Sequence, residues 1–131
     1  MTSQESFGSL CQRVCDTRGW ELQPTGVVLR LGDGRHQVVS LEIFEYQDEK
    51  LVRLLSEIGS AEELGRERLT MALSANAELA HGALAFRDGQ LCMTDTLMLE
   101  DIETEQLEAA ISYLAETADF YERSIFGTDE H

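Results

Sequence analysis

Residues 82–99, GALAFRDGQLCMTDTLML, predict a β-hairpin. Two runs rich in apolar residues, Gly82–Phe86 and Leu91–Leu99, flank the turn Arg87-Asp88-Gly89-Gln90. An Asp-Gly pair in a short turn adopts the positive φ angles that match the twist of paired strands, which makes it a strong hairpin signal. The segment therefore specifies two antiparallel strands in the second half of the chain.

The first half of the chain carries a similar pattern. Val27–Leu31 is followed by the turn Gly32-Asp33-Gly34 and by a long strand over His36–Tyr46. After the turn at residues 47–49, Lys50–Ile58 is predicted to return as a third strand. A helix remains an alternative for that segment, because leucine and glutamate are good helix formers and the run is short.

Three helices complete the predicted order of elements. Apolar residues recur every three to four positions over residues 2–18, from Ser60 to about Ala80, and from about Thr104 to Ile125. Thr2 with Glu5, and Ser60 with Glu63, have the spacing of a capping box. The order α-β-β-β-α-β-β-α predicts a two-layer α+β fold, with a twisted five-stranded antiparallel sheet and helices mainly against one face. Residues 1–127 are predicted to form a single domain, and the polar residues 128–131 a frayed tail.

Composition excludes several classes of partner. The chain has 131 residues, 43% of them hydrophobic, which is enough for one core. Its net charge is −15, and residues 61–131 hold sixteen of the 25 acids against four of the ten bases. Nucleic acid and anionic membrane would be repelled by this charge, so neither is expected as a partner.

The expected location is the cytoplasm. No apolar run approaches the roughly 18 residues that a membrane span needs, and residues 1–5 lack the pattern of a signal peptide. The three cysteines, Cys11, Cys15 and Cys92, are an odd number without CxxC spacing. This favours free, buried thiols in a reducing compartment.

Motifs for catalysis or cofactor binding are missing from the sequence. It contains no GxSxG elbow, and Gly32-Asp33-Gly34 lacks the further glycine and the lysine of a phosphate-binding loop. Cys11 and Cys15 share a helix face, but a metal site would need further ligands from distant segments. The acids of residues 100–105 lie where a helix start favours negative charge. We therefore predict no catalytic residues, no metal, no cofactor and no enzymatic activity.

Two surfaces are candidates for protein partners. The strand over His36–Tyr46 has apolar residues on both faces, so it is either covered on two sides or leaves an apolar surface open to a partner. In the second helix, Leu69 and Leu73 lie off the main apolar stripe; this indicates either a contact with a second copy of the chain or a wide core face in a monomer. The predicted partner-binding residues are Val38, Phe44, Tyr46, Leu51 and Leu55, and the predicted dimer residues are Leu69, Met71 and Leu73.

The order of elements, together with residues 76–91 (NAELAHGALAFRDGQL) and 96–102 (TLMLEDI), resembles the Tir/CesT-type class I chaperones of bacterial type III secretion. In that family a hairpin of the form G-x-L-x-x-x-x-G-x-L is followed by L-P-L-x-x-L and a long amphipathic helix. Here Met98 stands where the family often has proline, and Ile102 where it often has leucine. The motif resemblance covers about Asn76 to Tyr121.

The resemblance implies a small acidic cytoplasmic homodimer, assembled through its second helix, that binds an extended segment of a secreted effector without ATP. The YbjN-like family shares the architecture and implies a regulatory role instead. An alternative to the chaperone is therefore a regulatory or adaptor module that sequesters a folded protein partner. The two differ in what they bind: an extended segment or a folded domain.

Overall fold

The structure is a computed structural model that describes residues 3–126. Its elements in chain order are α1 (Ser3–Arg18), β1 (Glu21–Gln23), β2 (Gly26–Gly32), β3 (Arg35–Tyr46), β4 (Glu49–Ser60), a 3-10 turn (Ala61–Glu63), α2 (Arg66–Ala75), β5 (Ala83–Arg87), β6 (Gln90–Met98), α3 (Thr104–Tyr121) and a π-helical turn (Glu122–Phe126). All the strand pairs are antiparallel, and the strand order is β1-β2-β3-β4-β6-β5.

The predicted α+β fold is confirmed, with one more strand than expected. Glu21–Gln23 pairs with the start of β2 and adds a short edge strand, so the sheet has six strands rather than five. The segment from Lys50 to Ile58 is part of β4, which removes the helical alternative. The predicted capping residue Thr2 and the predicted frayed tail at residues 128–131 lie outside the described residues.

Both Asp-Gly turns have the predicted geometry. Asp33 and Gly34 have φ angles of 54° and 79°, and Asp88 and Gly89 have 53° and 78°. Two successive positive φ angles define the tight turn whose twist matches that of the flanking strands. The dipeptides therefore form the two-residue loops of the β2–β3 and β5–β6 hairpins, and an irregularity between Arg30 and Gly32 then shifts the register of β2–β3.

The second helix is shorter than predicted. The Ser60 side chain accepts a hydrogen bond from the backbone N–H of Glu62, so it caps the 3-10 turn rather than α2. The chain is extended again at Leu64, and α2 begins only at Arg66. Gly65, the N-cap of α2, is a poor helix former and is the local signal of this interruption, which the prediction of one helix from Ser60 overlooked.

The core lies between α1, α3 and one face of the sheet. Each strand contributes alternate residues to this face, as the pleat of a β-strand requires. The opposite face of the sheet is hereafter called the open face. The buried residues of the core include Phe7, Leu10, Val14, Val27, Leu29, Val39, Val52, Leu54, Met93, Leu107, Ile111, Leu114 and Ala118.

One outer edge of the sheet is covered by a side chain. The amide of Asn76 donates to the carbonyl oxygen of Leu84 at 3.1 Å and accepts from the N–H of Leu84 at 2.7 Å. Asn76 therefore occupies the backbone groups that β5 turns away from β6 at this residue. Covering an edge in this way protects it from pairing with another strand.

Two glycine substitutions are expected to change stability in opposite directions. A Cβ at Gly26 would overlap the carbonyl oxygen of Val39 and lie 2.9 Å from the Cα of Ser40, so Gly26→Ala forces β2 and β3 apart. We expect it to lower the free energy of unfolding by about 1–3 kcal/mol. A Cβ at Gly8, on α1, meets no atom within 4 Å, so Gly8→Ala is expected to stabilise the protein by about 0.5–1 kcal/mol. Urea unfolding of both variants measures the difference, and equal midpoints would contradict this account of Gly26.

Candidate functional site

A row of apolar side chains crosses the open face near one end of the sheet. Phe44 on β3 lies opposite Leu51 on β4, and Leu51 lies opposite Met98 on β6. Tyr46 follows two residues after Phe44 and extends the row along β3. Tyr46 is 61% exposed and Met98 50%, while Phe44 and Leu51 are half-buried. These four residues are hereafter called the apolar patch.

The structure brings three of the five predicted partner-binding residues together. Phe44, Tyr46 and Leu51 belong to the apolar patch. Val38 is exposed on the same face, but six residues before Phe44 on β3, which is about 20 Å along an extended strand. Leu55 is also on the open face, half-buried in a separate cavity.

Charged residues separate the apolar patch from Leu55. Glu42 on β3 contacts two arginines: Nη1 of Arg53 lies 3.2 Å from its Oε1, and Nη2 of Arg87 lies 3.0 Å from its Oε2. Arg53 also stacks on the ring of Phe44, with the guanidinium carbon 4.2 Å from the ring centre. The hydrogen bond from Arg87 is the main cause of a lowered pKa at Glu42, so this carboxylate stays ionised at neutral pH. Glu42, Arg53 and Arg87 are hereafter called the clasp.

The contact between Arg87 and Glu42 reaches across two intervening strands. Arg87 ends β5, whereas Glu42 lies on β3, and β6 and β4 run between them. Neighbouring strands are about 4.8 Å apart, so a direct contact requires the sheet to curl toward the open face. The curl encloses a cavity of about 210 Å³, hereafter called the cup, which is lined by Ser40, Glu42, Arg53, Leu55, Glu57, Arg87, Asp88, Gln90 and Cys92.

The three cysteines are all free and buried, as the sequence predicts. Cys92 lines the cup, and its Sγ lies 3.5 Å from the carbonyl oxygen of Ala85. Burial raises the pKa of Cys92, and it raises the pKa of Cys11 to about 12. Both groups are therefore neutral thiols at physiological pH. Among residues 3–126 no group of three His, Cys, Asp or Glu side chains is placed to hold a metal ion.

A second apolar surface lies between α2 and β5. A groove of about 590 Å³ is lined by Leu69 and Leu73 from α2 and by Leu84 and Phe86 from β5, with no acidic residue among its lining residues. Leu73 is 73% exposed and Phe86 53%. Met71, the third predicted dimer residue, is also exposed, but it is not in the groove. At 100° per residue it lies on nearly the opposite side of α2 from Leu73.

Several residues of these surfaces were not identified from the sequence. Phe86 ends one predicted strand and Met98 lies next to the end of another. Only the tertiary structure places Met98 opposite Leu51, through the β4–β6 pairing, and Phe86 in the groove with α2. Arg87 belongs to a turn in the sequence, so nothing local indicates its contact with Glu42. The signal that was available is weaker: Glu42 is a charged residue between the apolar Leu41 and Ile43.

No family model matches the sequence, and no curated protein matches it. Solved structures share the fold. A chain in the crystal structure of the ExsC–ExsE complex matches with a TM-score of 0.69 and 16% identity, over 95% of this chain and 97% of that chain. A chain in the structure of the HopA1–SchA chaperone–effector complex matches with a TM-score of 0.59 and 12% identity, over 89% and 93% of the two chains.

A third match comes from the Yersinia pestis type III secretion chaperone SycH in complex with a stable fragment of YscM2. Its TM-score is 0.55 at 18% identity, over 86% of this chain and 96% of that chain. At these identities the likeness is one of fold. The chain therefore has the fold of type III secretion chaperones, which confirms the resemblance in architecture. No helix among residues 3–126 is long and apolar enough to cross a membrane.

Proposed function

We propose that this protein is a non-enzymatic chaperone that holds an extended segment of a partner protein on the open face of its sheet. The observation that carries the proposal is the apolar patch, where Tyr46 and Met98 are large, exposed side chains next to the half-buried Phe44 and Leu51. Large apolar side chains gathered on a sheet face are typical of a protein interaction site. The shared fold supports the proposal, since two of the matching structures are described as chaperones in complex with another protein.

The proposed working form is a cytoplasmic homodimer assembled through the groove between α2 and β5. Leu73 and Phe86 expose apolar surface there, and Leu69 and Leu84 line the floor. The net charge of −15 opposes association of two copies. A groove without acidic lining residues is a surface on which that repulsion is weakest.

Binding of an extended segment can be tested without knowing the natural partner. Random 16-residue peptides displayed on phage are selected on the immobilised protein, and the enriched peptides are synthesised and titrated. We expect Tyr46→Glu and Met98→Glu each to weaken binding of these peptides by about tenfold or more, because exposed aromatic and methionine anchors carry much of the energy of such interfaces. Both side chains are exposed in the free protein, so the substitutions leave its core intact.

Phe120→Glu provides the matched control. Phe120 is an exposed aromatic side chain on α3, and α3 packs on the other face of the sheet, so this variant is expected to bind the peptides like the wild type. Failure to enrich any peptide, or equal losses in all three variants, would contradict the proposal. Binding of a folded partner domain without any peptide binding would favour the regulatory alternative.

A further inference from the structure

The cup lies beneath the clasp on the open face. Leu55 is the apolar side chain that lines it, and Ser40 and Cys92 contribute a hydroxyl and a thiol to its wall. Cys92 is only 1% exposed although it lines a cavity open to the surface. The side chains above it therefore limit access to the cup.

The parts of the chain around the cup are not equally fixed. The turn at the tip of the β5–β6 hairpin is held by the backbone, since the carbonyl of Gly89 accepts a hydrogen bond from the N–H of Ala61 at 2.8 Å. Asn76 holds the beginning of β5 at Leu84. The clasp, in contrast, consists of long side chains, and those of Glu42 and Arg87 are each 45% exposed. Solvent-exposed ion pairs contribute little free energy and exchange readily with water.

We propose that the clasp controls access to the cup, so that Leu55 and the adjacent wall accept a side chain of a bound segment only when Arg87 separates from Glu42. This inference rests on the proposed function, because it assigns the cup as a second, covered part of the same binding surface. Glu42 keeps its contact with Arg53 when Arg87 leaves. Opening therefore costs one exposed ion pair and leaves no charge buried.

The thiol of Cys92 reports opening directly. Alkylation by N-ethylmaleimide, followed by mass spectrometry of the peptide that contains Cys92, measures how often the cup is accessible. We expect Glu42→Gln to accelerate alkylation of Cys92 by about three- to fivefold, the population change that loss of exposed ion pairs produces. Raising the salt concentration from about 0.05 M to about 1 M is expected to accelerate the wild type and to have little effect on the variant, because salt screens ion pairs at the surface.

Arg87→Gln separates opening from a simple electrostatic effect. Burial raises the pKa of Cys92, and the positive charge of Arg87 offsets part of that rise, so removing this charge alone raises the pKa further and slows the reaction of the thiolate. Faster alkylation in this variant therefore reports greater access to the cup and not a lower pKa of the thiol. Glu45→Gln is the matched control, since Glu45 is an exposed residue of β3 that alternates to the other side of the strand.

Cys11 and Cys15, on the buried face of α1, are internal references for unfolding of the whole domain. Unchanged alkylation of Cys92 in both clasp variants, or parallel acceleration at all three cysteines, would overturn the proposal. The assay uses the free protein, so its outcome is independent of whether peptides bind.

A second measurement tests whether a bound segment fills the cup. A peptide selected on the wild type is expected to slow alkylation of Cys92 in Glu42→Gln. Peptide binding without that protection would remove the cup from the binding surface and leave the proposed function standing.

Discussion

Replacing Leu73 by glutamate is expected to convert the proposed dimer into a monomer. Leu73 is 73% exposed in the isolated chain, so the substitution places a charge in water and costs the monomer little. In a dimer related by a two-fold axis the same change occurs twice in one interface and brings a new carboxylate from each copy into an apolar groove. We expect the dissociation constant to rise by at least about 100-fold. Light scattering over a dilution series measures the mass, which would fall to that of one chain, 14.7 kDa.

Met71→Glu makes the same chemical change on the other side of the same helix. Met71 is 60% exposed and does not line the groove, so this variant is expected to keep the mass of the wild type. The pair of variants therefore separates a groove interface from a general effect of added negative charge. A wild-type protein that is monomeric at every concentration, or a dimer that survives Leu73→Glu, would contradict the groove interface.

The elements of this fold follow from local sequence signals, whereas the surfaces depend on register. Asp33-Gly34 and Asp88-Gly89 define two hairpins because their φ requirements are local. The edge strand at Glu21–Gln23 has no such signal, because three residues are too few to show alternation. The interruption of the second helix at Leu64 was overlooked for another reason, since the poor helix former Gly65 stands between two segments that favour helix.

The residues of the candidate site are likewise only partly predictable from the sequence. Alternation along β3 places Phe44 and Tyr46 on one face, and the β3–β4 turn adds Leu51, so this part of the site was predictable. Val38 and Leu55 have the same alternation, yet six residues of β3 separate Val38 from Phe44, and the contact between Glu42 and Arg87 separates Leu55 from the patch. That contact joins strands that are not neighbours in the sheet, and pairing rules for adjacent strands do not predict it.

A buried carboxylate links the β2–β3 hairpin to the end of α3. Asp119 is 4% exposed and accepts hydrogen bonds from Nε of Arg35, at 3.1 Å and 3.2 Å, and from Nε of Arg123, at 3.1 Å. Beside it, the buried Gln37 donates to Glu122 and accepts from the buried Ser56. These contacts hold the end of α3 and the π-helical turn that follows it against the sheet, where the Phe126 ring packs directly on Gly59.

Asp119→Ala is therefore expected to lower the melting temperature by about 5–10 °C, because it removes charge-assisted hydrogen bonds from two arginines. The partners are partly solvated, so the loss is smaller than that of a fully buried ion pair. Asp119→Asn keeps the shape and one acceptor oxygen and is expected to lose roughly half as much. Glu116→Ala, on the exposed side of the same helix, is expected to change the melting temperature by less than about 2 °C.

Asp119 contacts neither the apolar patch nor the groove. Below the melting transition, peptide binding and dimer mass of Asp119→Ala are therefore expected to stay those of the wild type. A large loss of peptide binding in folded Asp119→Ala would instead show that the end of α3 is part of the binding surface.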